Sequence, residues 1–327
     1  MLESFINKMD KLEQEILESY FNKNRVPDVL YQYTDENGLK GILQSKVFWA
    51  TDSEYLNDES EIEYGNALIS NVLVRHQANV SPLLSEIYDD VIGIRYGSPS
   101  IRRSWDDDLY IVSFSQLGDD LNQWGRYASD GEGYAIGINP HELYRKIKGP
   151  EAISYTDEGL SFIKVSYNEA EQTGLVFDLI KIADTIIEEE FQFHTGREKE
   201  LFPGIAAKKM SSILYKFAMF YKHNGFESEN EWRVVKNRWG SNVMRGINNF
   251  SQRGVKHRAR GSLKIPYLEL DFTARYDRQL IPIEEIRLGP LLRNTDAQQQ
   301  LERYLHTLGY SKRMPILAVS SIPYRKL

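Results

Sequence analysis

The run Leu109-Tyr110-Ile111-Val112-Ser113-Phe114-Ser115 constrains the fold more than any other segment, because its two faces differ in kind. Side chains alternate across a strand, so Tyr110, Val112 and Phe114 share one face while Ser113 and Ser115 share the other. Such a strand needs a packed layer on its aromatic side. Its serine side is small and polar, a surface that a flat or narrow ligand can approach closely. A half-exposed strand with polar outer positions accounts for the serines alone equally well.

Elsewhere the periodicities divide the chain between helix and strand. Leu2, Phe5, Ile6, Met9, Leu12, Ile16 and Leu17 recur at spacings of three and four, which predicts an amphipathic helix docked on the domain C-terminal to it. Val29–Tyr33 reads as a strand and Thr34 as the cap of a helix burying Leu39, Ile42 and Leu43, with Val47–Ala50 following it. A polar loop and a helix over about 59–75 come next; Pro82, Pro99 and Asp106-Asp107-Asp108 then suggest a helical excursion and a loop. Beyond Ser115, strands are predicted at Tyr134–Ile138, Glu231–Val235, Tyr267–Phe272, Ile286–Leu288 and Ile316–Val319, with a short helix from Pro140 and another near 295–308. Residues 168–223 carry two long helical patterns broken near Pro203-Gly204, expected as a helical insertion that caps the domain or makes a homo-oligomer contact. The chain reads as α+β, with an N-terminal helix over 1–28 and a single α+β domain over 29–325.

Composition removes several classes of function. With 20 Tyr, 14 Phe and 41% hydrophobic residues, the 327-residue chain is far from the aromatic-poor profile of disorder. No cysteine is present, which excludes disulfides, thiolate nucleophiles and cysteine-ligated metals and suits a cytoplasmic location. The opening residues mix charges into every turn, and no stretch approaches the ~18 apolar residues of a membrane span, so no membrane partner is expected. A net charge of -7 argues against broad phosphate neutralisation as the main source of affinity. The best candidate for a local basic patch is Arg253, Lys256, His257, Arg258 and Arg260, set among Gly254 and Gly261; a solvated loop is the plainer account.

Two further segments carry chemistry. Trp124 and Tyr127 lie three apart on one side of a helical turn, an aromatic ledge that suits a ring-bearing ligand; as core aromatics they would be unremarkable. In extended chain Glu229, Glu231 and Arg233 point the same way, while Trp232 and Val234 face the core. Paired carboxylates serve oxocarbenium chemistry: one anion holds a sugar hydroxyl and steadies developing positive charge, and the other handles the incoming nucleophile. A solvated acidic loop paired with an arginine is the plainer account. The six histidines are scattered without metal-ligand spacing, and no metal is expected, although Asp52, Asp58, Glu61 and Glu229 remain a candidate carboxylate set for Mg²⁺.

Leu30–Thr34 with its helix, Phe48–Thr51 with Leu56-Asn57-Asp58, Ser113-Phe114-Ser115, Trp124 and Tyr127 with Gly133, Glu229-x-Glu231-Trp232-Arg233, and Ile322–Arg325 together resemble a bacterial family known as domain of unknown function 2971. The order of these motifs is similar to that of the ADP-ribosyltransferase superfamily. The resemblance implies a mixed, mainly antiparallel split β-sheet core and an enzyme that cleaves the nicotinamide–ribose bond of NAD, passing ADP-ribose to a protein, a nucleic acid or water. It implies Glu231 as catalytic acid with Glu229 beside it. Gln32 and Thr34 would meet the nicotinamide end, Ser113 and Ser115 would line its pocket, and Tyr31, Tyr33, Trp124, Tyr127 and Arg233 would complete the NAD site. Such chemistry fits a toxin or a phage-defence effector. One branch of the superfamily carries a histidine where this chain has Gln32, a departure that favours the alternative of a non-enzymatic sensor for a nucleotide-like ligand. A carboxylate–metal nuclease or hydrolase is the third reading.

Overall fold

The alternating run forms strand β3 (Leu109–Ser115), at the junction of a ten-stranded, largely antiparallel sheet. The computed structural model describes residues 2–56, 59–96, 109–142, 160–237, 254–273 and 280–325. One edge of β3 pairs along its whole length with β6 (Glu231–Asn237), which pairs in turn with β5 (Leu160–Lys164). The other edge is shared. β1 (Leu30–Thr34) meets β3 where Tyr31 faces Ser115, and β2 (Val47–Asp52) meets it where Thr51 and Asp52 face Ile111 and Tyr110. From β1 the sheet continues through β4 (Tyr134–Ile138), β9 (Ile283–Leu288) and β10 (Ile316–Val319). From β2 it continues through β8 (Leu263–Asp271) to β7 (Lys256–Arg260). Among the described residues only the β9–β10 ladder is parallel.

β1 and β2 therefore fork away from one another along β3. The helix that joins them in sequence, α2 (Glu36–Ser45), closes one face by burying Leu39 and Leu43. Its cap is Asp35 rather than the expected Thr34: the Asp35 carboxylate accepts from the Gly38 N–H at 2.6 Å, one residue closer to the helix. On this face Tyr110, Val112 and Phe114 pack with Leu30, Phe48, Ile136, Trp232 and Val234, as the alternation requires.

The reverse face is covered at both ends. At one, the short helix α5 (Leu121–Tyr127) buries Trp124 against Tyr33 and Ala135. At the other, α1 (Leu2–Lys23), α3 (Glu59–Gln77), α4 (Pro82–Tyr96), α6 (Glu169–Phe191) and α7 (Gly196–Ala218) cover Leu109, Ile111, Ile163 and Val235. The two helices expected as an insertion are thus part of the core, to which they contribute Val176, Ile180, Phe202 and Met210. The break between them falls at 192–195; Pro203 sits inside α7. Inside a helix a proline removes one backbone hydrogen bond and crowds the carbonyl four residues before it, and burial of Phe202, Ala206 and Ala207 holds the helix through it.

The N-terminal helix is a fixed member of this layer. Phe5 and Met9 are fully buried, each worth roughly 1.5–3 kcal/mol of transfer free energy. Asp10 and Glu13 of α1 also pair with Lys209 and Lys216, two buried lysines of α7, and withdrawing α1 would leave both ammonium groups unpaired.

The basic cluster is corrected from loop to strand over Lys256–Arg260, joined to β8 by a two-residue turn at Gly261 (φ 61°) and Ser262. β5 is a second strand that the periodicity does not reveal. Asn57, Asp58, the run at 97–108, the continuation of the helix at Pro140 and Arg253 lie outside the described residues. Among the described residues no helix is long and apolar enough to cross a membrane.

Candidate functional site

The fork leaves a cavity of about 710 Å³ on the reverse face, between α5 and the large helical layer. That volume lies within the roughly 300–1,000 Å³ of small-molecule sites. Tyr31, Gln32, Tyr33 and Thr34 line it from β1, Trp49 and Thr51 from β2, and Ser113 and Ser115 from β3. Glu229, Glu231 and Arg233 contribute from the β6 side, Arg126 and Tyr127 from α5, Lys222 from the end of α7, and Arg258 from β7.

The two glutamates converge because of a sharp backbone reversal between them. A 3₁₀ turn over Asn224–Glu229 ends at Asn230 in the left-handed conformation (φ 44°), a state asparagine tolerates better than most residues. Glu229 and Glu231 then flank the buried Lys222, whose Nζ stands 2.5 Å from Glu229 Oε2 and 3.2 Å from Glu231 Oε2. Arg233 holds Glu231 from the other side in a two-point bond, Nε to Oε1 at 2.7 Å and Nη2 to Oε2 at 2.9 Å, and its Nη1 donates to the Met219 carbonyl at 2.6 Å. The Tyr167 hydroxyl accepts from the Glu231 N–H at 3.0 Å. Glu229 is reached by Arg126 Nη1 at 3.0 Å, from a side chain that is itself mostly exposed.

Burial alone would push the Glu231 carboxyl up. The charges of Arg233 and Lys222 outweigh it, with hydrogen bonds from Arg233 and Ser113, and hold the group well below the usual carboxylate range. A depressed folded-state pKa stabilises the protein above the ordinary value of 4.5, and that contribution is lost as pH falls from there towards the folded value. Urea midpoints recorded against pH should therefore drop below pH 4.5 and drop less in Glu231→Gln; identical profiles would contradict an ionised Glu231.

Several residues expected at the site have other occupations. Trp124 is fully buried, donates from Nε1 to Asp119 at 2.8 Å and meets Tyr33 edge-on at 4.7 Å, so the aromatic ledge is not assembled: only Tyr127 reaches the cavity mouth. Trp124 packs against Tyr33 and Ala135, whereas Tyr127 stays partly exposed. Ser115 is buried and structural, its Oγ donating to the Glu229 carbonyl at 2.8 Å and accepting from the Leu117 N–H at 3.1 Å. Tyr33 donates to the Leu117 carbonyl at 2.8 Å and accepts from the Asp120 N–H. The Tyr31 ring is flanked by Gly118 and Gly137, where any β-carbon would overlap it, and its hydroxyl donates to Glu285 at 3.1 Å. Ser113 is exposed to the cavity. Gln32 Oε1 is buried with no hydrogen-bond partner among the described residues, and Thr34 stands at the end of the same strand face.

Lys222, Arg126, Trp49 and Arg258 are site residues that the sequence reading missed. A signal existed for Arg258: the Gly261-Ser262 turn between two extended runs marks a hairpin. None existed for Lys222, which reaches the glutamates only because α7 ends beside β6. Of the carboxylates considered for Mg²⁺, Asp52 accepts from the Glu54 N–H and Glu229 is held by two cations; no group of three metal-ligating side chains is assembled among the described residues.

Residues 123–234 match the family model described as Protein of unknown function (DUF2971). The DUF2971 segment carries α5, β4, α6, α7 and the Glu229–Arg233 stretch, so the resemblance drawn from the motifs is shown over that span. The motifs at 30–34, 48–51, 113–115 and 322–325 lie outside it. No curated protein and no solved structure matches the chain.

Proposed function

We propose that the protein consumes NAD⁺, cleaving the nicotinamide–ribose bond and passing ADP-ribose to a protein, a nucleic acid or water. The observation that carries this reading is an ionised, buried carboxylate, Glu231, at one end of a cation-rich cavity where the sheet forks. Four cations, Arg126, Lys222, Arg233 and Arg258, line the cavity against two carboxylates, Glu229 and Glu231, in a chain of net charge -7. That surplus favours an anionic ligand. The fork supports an ADP-ribosyltransferase-like split sheet, since β3 belongs to both wings.

In this mechanism the C1′–N bond breaks with its electron pair going to the departing nicotinamide. Glu231 accepts a hydrogen bond from a ribose hydroxyl and steadies the oxocarbenium ion; Ser113 orients that carboxylate. The nucleophile then bonds to C1′ and gives its proton to Glu229. Gln32, with its unpartnered Oε1, accepts from the carboxamide of the nicotinamide, a role open to glutamine as to the histidine it replaces.

A second reading rests on a specific observation. Both oxygens of Glu231 are already engaged by Arg233 and Lys222, which suits a sensor that binds a nucleotide without cleaving it. Purified protein incubated with NAD⁺ and cell extract should release nicotinamide, and Ser113→Ala should slow release by about tenfold, the loss of one hydrogen bond to a charged group. NAD⁺ bound without release would establish the sensor; no binding would overturn both.

A further inference from the structure

The wing of the sheet beyond β2 carries groups that the chemistry at Glu231 does not use. Register and alternation put Trp49 and Thr51 of β2, Tyr267 of β8 and Lys256 and Arg258 of β7 on the cavity side of the sheet. Lys256 is paired with Glu269 at 2.7 Å. Arg258 is different. It is half-buried, its Nη2 donates to Thr51 Oγ1 at 2.9 Å, and no carboxylate opposes it among the described residues. Burial and the neighbouring Arg260 both act against its charge. A desolvated guanidinium without a counter-ion is unfavourable, and an anion from solution relieves it.

Beside it stands an exposed indole. Trp49 is 41% exposed although it sits in mid-strand, stacked at 4.5 Å on Tyr267 and 5.8 Å from the Arg258 guanidinium. An aromatic surface next to an uncompensated cation suits a ring that carries a phosphate. The distance to the reacting carboxylate is also suitable. Thr51 faces Ile111 on β3, and Glu231 faces Ser115. Those β3 positions lie four residues apart and β2 and β6 flank opposite edges of β3, so a rise of ~13 Å combined with two strand spacings of ~4.8 Å gives about 16 Å.

We propose that Trp49, Thr51 and Arg258 form a nucleotide subsite that takes a purine ring and its attached phosphates, the far end of the substrate whose near end reaches Glu231. The inference rests on the NAD⁺ reading for the identity of that near end, and the experiment separates the two.

ADP is the probe, titrated calorimetrically against the full chain and against Arg258→Gln and Trp49→Leu, with inorganic phosphate alongside. Nicotinamide release from NAD⁺ is followed separately. ADP should bind to the wild type, each variant should weaken it by about tenfold or more, and both should raise the KM for NAD⁺ more than they lower kcat. ADP that fails to bind, or that binds both variants as tightly as the wild type, overturns the subsite. Phosphate that binds as tightly as ADP overturns the role of the indole. Arg258-dependent ADP binding without nicotinamide release leaves the subsite standing and removes NAD⁺ cleavage. Nicotinamide release with KM unchanged in both variants does the reverse.

Discussion

Glu231→Gln should lower nicotinamide release by about 10²–10³-fold, the loss expected when a carboxylate that meets developing positive charge becomes a neutral amide. It should also destabilise the fold by about 3 kcal/mol, because Arg233 loses the partner of its two-point bond in a buried setting. Lys222 keeps Glu229, so the cluster is weakened rather than dismantled. Activity must therefore be compared at a temperature where circular dichroism shows both proteins folded, and NAD⁺ binding measured on the same samples. A folded variant that binds NAD⁺ and releases nicotinamide at the wild-type rate would remove Glu231 from the mechanism. A stability unchanged by the substitution would mean that the buried ion cluster is not present as described.

The second large effect concerns backbone rather than charge. Gly133 opens β4 where three chain segments cross: an added β-carbon would lie 2.8 Å from the Ala128 backbone and nearer still to the Thr34 carbonyl. The Gly133 carbonyl itself accepts from the Gly289 N–H at 2.8 Å, so the segment has no room to retreat. Gly133→Ala should destabilise by about 2–3 kcal/mol as overpacking, and should displace the Thr34 end of β1 that borders the cavity. Gly125→Ala is the control. Its β-carbon would meet nothing within 4 Å, and alanine in a helix is favoured over glycine by up to ~1 kcal/mol. Equal urea midpoints for the two variants would refute the close crossing.

The strands were the most legible part of the molecule, because alternation is a local property. Leu109–Ser115, Tyr134–Ile138 and Ile316–Val319 have the boundaries that the pattern predicts. The fork was not legible from those patterns, since it depends on which strands lie against each edge of β3, a relation between residues far apart in sequence. The same limit explains Trp124 and Tyr127: spacing along a helix places two rings on one side of it, but only the docking of α5 decides which ring meets the sheet. Glu229 and Glu231 were found from their proximity in sequence. Lys222, which binds both, could not be, because its position depends on where α7 stops.

The two wings of the sheet resemble the plates of a jaw that share one bone. The β1 plate is joined to β3 through the pair of Tyr31 and Ser115, a far shorter ladder than the full-length one between β3 and β6. Local openings begin where backbone bonds are fewest, so the junction of β1 with β3 opens more readily than that of β6 with β3. A ligand long enough to touch both plates would bind one gape better than others and stiffen the jaw as it did so.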